Sequence, residues 1–311
     1  MTRHSKKILI TGVSGFLGRY VSRYFVDHGW TVHGIDNSPP ENAPLGSLSK
    51  YYQLQLPDPQ LNTISKETTP DVCINCAGRA SVALSFPDPA NDFLSNTILT
   101  HEILNTFRTN HPACKFINIS SAAVYGNPEK LPIKEDTNPS PISPYGFNKL
   151  QSERICQEFH QIYNIPTVSV RIFSAYGPGL RRQVLWDICQ KALSAKNLTL
   201  QGTGGESRDF IHAYDVARAL LIIAESAPMK GESYNLATGQ ETSISELSSI
   251  LLTALEHTGT IIFDGRVPPG VPSNWKADIS KISSLGFEPT IPLAQGASAF
   301  ARWCRSELVH L

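Results

Sequence analysis

Tyr145 and Lys149 stand four residues apart, behind Ser143-Pro144. Serine is a good helix N-cap and proline is tolerated in a first turn, so the spacing predicts a helix over 143–163 that stacks a phenol and an ammonium on one face. A free phenol ionises near pH ~10 and is a poor base at neutrality; a neighbouring cation favours its ionised form. The same pattern also describes an aromatic ring laid on a sheet beside a solvated lysine. The stretch Ile119-Ser120-Ser121-Ala122-Ala123-Val124-Tyr125-Gly126 tips the choice. It ends a strand-like run and sets the Ser121 hydroxyl at the carboxyl edge of a sheet, where it could share a substrate hydroxyl with Tyr145.

A second chemistry is anion binding. Thr11-Gly12-Val13-Ser14-Gly15-Phe16-Leu17-Gly18 is a GxxGxxG turn between a short apolar strand and a helical pattern. Gly12 permits the tight turn, Gly15 lets backbone approach a pyrophosphate, and Gly18 lets helix and strand come close. The helix N-terminus then offers free N–H groups to the anion. Asp36 ends the second strand, where a carboxylate accepts from ribose hydroxyls. Asn37-Ser38 follow with no arginine, so a 2′-phosphate would be repelled and NAD is favoured over NADP.

Such a site needs a doubly wound sheet, and the pattern supplies one. Strands are expected over 7–11, 31–35, 72–76, 116–120 and 168–173, alternating with helices over 17–28, 93–107 and 143–163. The fold class is α/β: a Rossmann-type doubly wound parallel sheet with a smaller C-terminal substrate-binding lobe. Residues 1–173 would form the NAD-binding domain, with 207–237 returning to it, and 174–311 the substrate-binding lobe. That second part is rich in turn signals such as Gly202-Thr203-Gly204-Gly205 and Val267-Pro268-Pro269-Gly270.

Composition bounds the rest. The 311 residues are 41% hydrophobic and 17% charged, which is globular, and 27 basic residues balance 27 acidic ones. No global field steers the chain to nucleic acid or an anionic membrane. Arg3, His4, Lys6 and Lys7 precede only three apolar residues, too few for a signal peptide, and read as the lead into the first strand. The longest apolar stretch, Ala219 to Ala224, falls well short of the ~20 residues of a membrane span. Six cysteines without regular spacing fit a reducing compartment, so a soluble cytoplasmic protein is expected. Cys73 and Cys76 form a CxxC, but inside a strand pattern rather than at a helix start, so a redox role is not expected.

The residues together resemble the extended short-chain dehydrogenase/reductase superfamily, in its NAD-dependent nucleotide-sugar epimerase/dehydratase branch of UDP-glucose 4-epimerase type. The resemblance spans nearly the whole chain. It rests on TGVSGFLG at 11–18, NCAGRASVALSFPDP at 75–89, SSAAVYG at 120–126, SPYGFNK at 143–149, RIFSAYGPG at 171–179 and SRDFIHAYDVA at 207–217. It implies Tyr145 as catalytic base or acid, Lys149 on the nicotinamide ribose and Ser121 orienting the sugar hydroxyl. NAD contacts are implied for Gly12, Ser14, Gly15, Phe16, Leu17, Gly18, Asp36, Asn37, Ala77, Gly78, Asn96, Ser120, Tyr145, Lys149 and Ile172. A nucleotide-diphosphate sugar would meet Ser81, Ser121, Tyr145, Ser174, Arg182, Arg208 and Arg266. Arg208 matches the arginine that grips the diphosphate, with a salt bridge to Asp209 or Asp215 as the competing reading. His212, between those aspartates, suggests a metal in isolation; the resemblance makes it structural, and no metal is expected.

Departures from the pattern narrow the chemistry. Ser174 stands where many relatives carry asparagine, and Gln55 where an aspartate usually meets adenine, with Asp58 displaced. Dehydratases of this branch place an acid pair, and decarboxylases a glutamate, where this chain has Ala122 and Ala123. That leaves epimerisation at C4 through a transient 4-keto sugar, with a 4-ketosugar reductase or nucleotide-sugar dehydrogenase as the alternative. A non-catalytic cofactor-sensing protein is the remote reading, opposed by the intact Ser121, Tyr145 and Lys149. The apolar faces of helices 93–107 and 144–163 suggest a homodimer, although burial within one subunit explains them equally.

Overall fold

The computed structural model describes residues 5–308; Arg3 and His4 of the expected strand lead lie outside it. Strands β1 (Lys7–Thr11), β2 (Thr31–Asp36), β3 (Lys50–Gln53), β4 (Val72–Asn75), β5 (Lys115–Ser121) and β6 (Thr167–Ile172) alternate with helices α1 (Phe16–Asp27), α2 (Leu61–Thr68), α3 (Val82–Ser85), α4 (Pro89–Phe93), α5 (Leu99–Asn110) and α6 (Pro144–Tyr163). Beyond them lie β7 (Ser174–Tyr176), α7 (Gln183–Ser194), β8 (Leu198–Leu200), β9 (Ser207–Arg208), β10 (Phe210–His212), α8 (Ala213–Ser226), β11 (Lys230–Leu236), β12 (Thr242–Ser243), α9 (Ile244–Ala254), β13 (Ile261–Phe263), α10 (Ser280–Ser283) and α11 (Leu293–Leu308). The main sheet runs β11-β6-β5-β4-β1-β2-β3, and every pair in it is parallel. A parallel sheet is covered on both faces, which is why its inner strands are apolar runs; β6 is buried at every position. One face is closed by α1 and α8, the other by α2, α5 and α6. A further core gathers α7, α9 and α11 around β8 and β10.

Register brings the chemistry together. Thr11 lies beside Ile35 and Asn75, and Ser121 beside Ile172, so the strands end in one row. Helix α6 starts as expected: the Ser143 Oγ accepts from Gly146 N at 3.1 Å and Pro144 fills the first turn. The helix expected over 93–107 is longer and interrupted. It begins at Pro89, where Asp88 accepts from Asn91 N, passes through a π-helical turn at Leu94–Ile98, and continues to Asn110. Its true start is signalled by the cap and proline, not by apolar periodicity. Strand β3 and helix α2 are additional; β3 is an edge strand with exposed ends, and α2 is short and polar. Cys73 lies in β4 and Cys76 just after it, both as free thiols. No helix among the described residues is long and apolar enough to cross a membrane.

Helix α6 is anchored by a buried ion pair. Arg171 Nη2 donates to Glu153 Oε2 at 2.7 Å, and the two side chains are 6% and 1% exposed. Arg171 Nη1 also donates to the Tyr125 hydroxyl and to Glu135 O, while Ser120 Oγ donates to Glu153. Removing one member strands the other charge without water. Glu153→Gln is therefore expected to cost roughly 3–5 kcal/mol in urea-unfolding free energy, and Glu153→Gln/Arg171→Met to recover part of that loss.

Candidate active site

Where β1, β4, β5 and β6 end, a cavity of ≈ 770 Å³ opens between the sheet and the elements that follow β6. The glycine turn forms one wall. Gly12 has φ +67°, and a Cβ there would sit 2.6 Å from Ala77 N; a Cβ on Gly18 would sit 2.2 Å from Gly12 O. Both positions therefore demand glycine. Gly15, Phe16 and Leu17 also line the wall, and α1 starts there without a side-chain cap or an acidic residue in its first turn. Its first N–H groups are left to an anion.

Asp36 ends β2 outside the wall itself. Its carboxylate accepts from Ser14 N at 3.0 Å and Ser38 N at 2.9 Å, which fixes it beside the turn. Asn37 donates to Gln55 Oε1, and Gln55 in turn donates to Leu56 O. The Ser14 hydroxyl is buried without a partner. Asn96 is buried behind the wall; its amide donates to Arg79 O and Asp92 O, while its Oδ1 occupies the space a Cβ on Gly78 would need. Ala77, Gly78, Ser120 and Ile172 line the cavity; Ser14, Asp36, Asn37 and Asn96 do not.

Ser121, Tyr145 and Lys149 meet on the opposite wall. Lys149 Nζ donates to Ile119 O at 2.9 Å and lies 5.8 Å from the centre of the Tyr145 ring. Burial pushes the Lys149 ammonium down to about 8, against the pull of Asp92, Cys76 and Glu153. Burial likewise raises the Tyr145 phenol; the Ser121 hydroxyl and Arg182 lower it, and Asp92 raises it. The cation expected to ionise the phenol, Lys149, is thus not what offsets its burial. Ala122 and Ala123 are buried in a 3₁₀ turn after Ser121 and place no acid beside Tyr145.

Arg208 carries no carboxylate partner within 4 Å among the described residues. Its Nη1 donates to Ser207 O at 2.6 Å and Ser273 O at 3.2 Å, and its guanidinium lies over the Trp275 ring at 5.4 Å. Burial lowers it to about 10, with Glu206 opposing. The salt-bridge reading does not hold, because both aspartates are engaged elsewhere. Asp209 accepts from Thr238 N, Gly239 N and Ala277 N, and Asp215 from Thr290 N and Ile291 N. His212 caps α8, its Nδ1 accepting from Tyr214 N at 3.2 Å. Ser81, Ser174 and Arg182 line the cavity, and Arg182 donates to Ala80 O at 2.7 Å. Arg266 is exposed, tied by its backbone to Gly202 and Asp264, and is not on the wall.

Sequence reading missed Trp275, Glu206 and Gln183 on the wall. Gln183 alone carried a structural anomaly, φ +67° in a residue with a side chain, which no sequence signal announces. Trp275 reaches Gly126 O through Nε1 from far along the chain, so no local motif could place it.

Comparison with known proteins places this geometry among relatives. Residues 8–237 match the model of the NAD dependent epimerase/dehydratase family. A UDP-glucose 4-epimerase of Halalkalibacterium halodurans is 28% identical over 309 residues, covering 92% of this chain and 91% of that protein. The crystal structure of UDP-glucuronic acid 4-epimerase from Bacillus cereus, in complex with UDP-glucuronic acid and NAD, is 29% identical with a TM-score of 0.88, covering 97% and 99% of the two chains. UDP-N-acetylglucosamine 4-epimerase from Methanobrevibacter ruminantium, 26% identical, has a TM-score of 0.87 over 98% and 99%.

The buried ammonium has a cost that can be read. Lys149 falls from 10.5 to about 8 on folding. Below the lower value both states hold the proton and the folded state carries the desolvation penalty. Between the two values the unfolded chain binds more protons, so this contribution improves as pH rises. Lys149→Met, which removes this titration, is expected to flatten the rise of unfolding free energy between about pH 8 and 10.5. Denaturant midpoints measured across that range check it.

Proposed function

The chain belongs to the NAD-dependent epimerase/dehydratase family, and we propose that it is an NAD-dependent nucleotide-sugar 4-epimerase acting on UDP-sugars. One observation carries the reading: Ser121, Tyr145 and Lys149 share a cavity with the glycine turn, while Ala122 and Ala123 supply no acid for dehydration. The cofactor fits by two tests. The side-chain-free approach at Gly12 and Gly18 leaves a cradle that any Cβ would fill, and the uncapped α1 N-terminus suits a pyrophosphate. Gly15, Phe16 and Leu17 would hold that group, Asp36 the adenosine ribose, and Lys149 the nicotinamide ribose. Bound NAD would supply a reversible hydride acceptor at C4 of the sugar.

Tyr145 takes the proton of the 4-hydroxyl and later returns it, so it must be neutral at one stage and ionised at the other. Its burial excludes water from that exchange, and Ser121, on the same cavity wall, would share the sugar oxygen. Arg208, free of carboxylates, would take the diphosphate, with Trp275 keeping its guanidinium plane in place. Residues 1–173, with 207–237, would bind NAD, and 174–311 the sugar nucleotide. We place the enzyme in the cytoplasm, where its six free thiols stay reduced, and pair it as a homodimer through α5 and α6. Exposed Leu94, in the π-helical turn leading into α5, and Phe147 on α6 fit that pairing, and light scattering at micromolar concentration would show twice the chain mass.

The direct test incubates the protein, without added cofactor, with UDP-glucose, UDP-glucuronate and UDP-N-acetylglucosamine, and follows C4 configuration by NMR. An epimer forming with no net NADH is expected; turnover only with stoichiometric NADH would reject the reading in favour of a reductase or dehydrogenase. Tyr145→Phe should lower turnover by about 10²–10⁴-fold with NAD still bound. Arg208→Gln should raise KM by roughly tenfold or more and leave kcat nearly unchanged.

A further inference from the structure

Asp92 is a buried carboxylate that the reaction as described does not use. It lies on α4 with no exposed surface. Its Oδ2 accepts from Asn148 Nδ2 at 2.7 Å, its Oδ1 is buried without a donor, and no basic side chain lies within 4 Å of it among the described residues. A carboxylate in that position is costly unless a cation in the same layer compensates it. Asn148, which it grips, is the residue before Lys149, and α4 lies against α6.

We infer that Asp92 is a positioning residue for Lys149, its carboxylate, bonded to Asn148 by one oxygen and paired with no other cation among the described residues, supplying the counter-charge that keeps the Lys149 amine in its ammonium form. The other groups around the amine do not serve. Glu153, one turn further along α6, is spent on Arg171, Ser120 and Ser233. Cys76, after β4, is a thiol raised by burial to about 12 and therefore uncharged. From β5 come only the Ile119 carbonyl and Ser121; Tyr145 on α6 is a raised phenol, and Arg182, from the segment before α7, is itself cationic. After burial, Asp92 is the largest influence on Lys149, and it acts to raise it. The same carboxylate acts weakly on Tyr145 as well, against its phenolate.

The kinetic consequence rests on the catalytic reading of Lys149 given above; the charge state of the amine does not. Asp92→Asn keeps an oxygen for Asn148 and removes only the charge. In the full-length protein, acetic anhydride labelling of Lys149, read by mass spectrometry against pH, reports the neutral amine. The labelling midpoint is expected to fall by about one pH unit or more in Asp92→Asn. The alkaline limb of UDP-sugar turnover should fall with it, while activity near pH 6 stays within about twofold of wild type. An unmoved labelling midpoint overturns the inference, and so does an equal loss of turnover at every pH, which marks a merely structural role. A shifted midpoint with an unshifted rate profile upholds the charge pairing and refutes the catalytic part of the reading instead. Asp92→Ser, which buries no amide, gives the same readout if Asp92→Asn does not fold.

Discussion

A charge pair that water cannot reach fixes the position of α6, and most of the site follows from it. Tyr145, Lys149 and Glu153 repeat every four residues along one face of the helix. Glu153 meets Arg171 of β6 through three hydrogen bonds, and Ser120, next to Ser121, donates to the same carboxylate. Such a pair offsets its desolvation only when every donor and acceptor is met; Tyr125 and Glu135 O complete Arg171. The pairing leaves little freedom for α6 to slide or roll on the sheet. Ser121, Tyr145 and Lys149 come from two elements but are set by one anchor.

A comparable arrangement holds the far side of the cavity. Asp209, beside Arg208, gathers N–H groups from the end of β11 and from Ala277. The short β9 pairs with β12, and Ser207 exchanges backbone hydrogen bonds with the segment around Ser273 and Trp275. Arg208 thus sits where three stretches distant in sequence are tied by one buried carboxylate. Its guanidinium is left without an acid because the neighbouring acids are spent on backbone.

How much of this was legible in the sequence depended on the range of the interactions. The parallel sheet, the glycine turn and the start of α6 were readable, since each is dictated by spacing within a few residues: apolar runs, GxxGxxG, and Ser143 before Pro144. The meeting of Ser121 with Tyr145 followed from Ser121 ending a strand at the carboxyl edge of the sheet and Tyr145 opening the next long helix. Other features rest on contacts across the fold. Asp36 accepts from Ser14 N and Asn37 donates to Gln55, bonds that no local spacing announces, and Arg266 is turned outward by a loop whose backbone pairs with Gly202. The effect of Lys149 on Tyr145 was misjudged because spacing gives proximity but not burial, and burial dominates both groups.

The π-helical turn at Leu94–Ile98 links two kinds of helix face. Before and within it the inward residues are polar, Asp92, Asn96 and Thr97; after it, Thr100 apart, they are the apolar Leu99, Ile103, Leu104 and Phe107. Each helical residue advances the face by about 100°. Loss or gain of a single residue between Pro89 and Asn110 would therefore swing one set away from the interior while the other stayed in place. Over this stretch length itself is under constraint, and insertions can accumulate only outside its two ends.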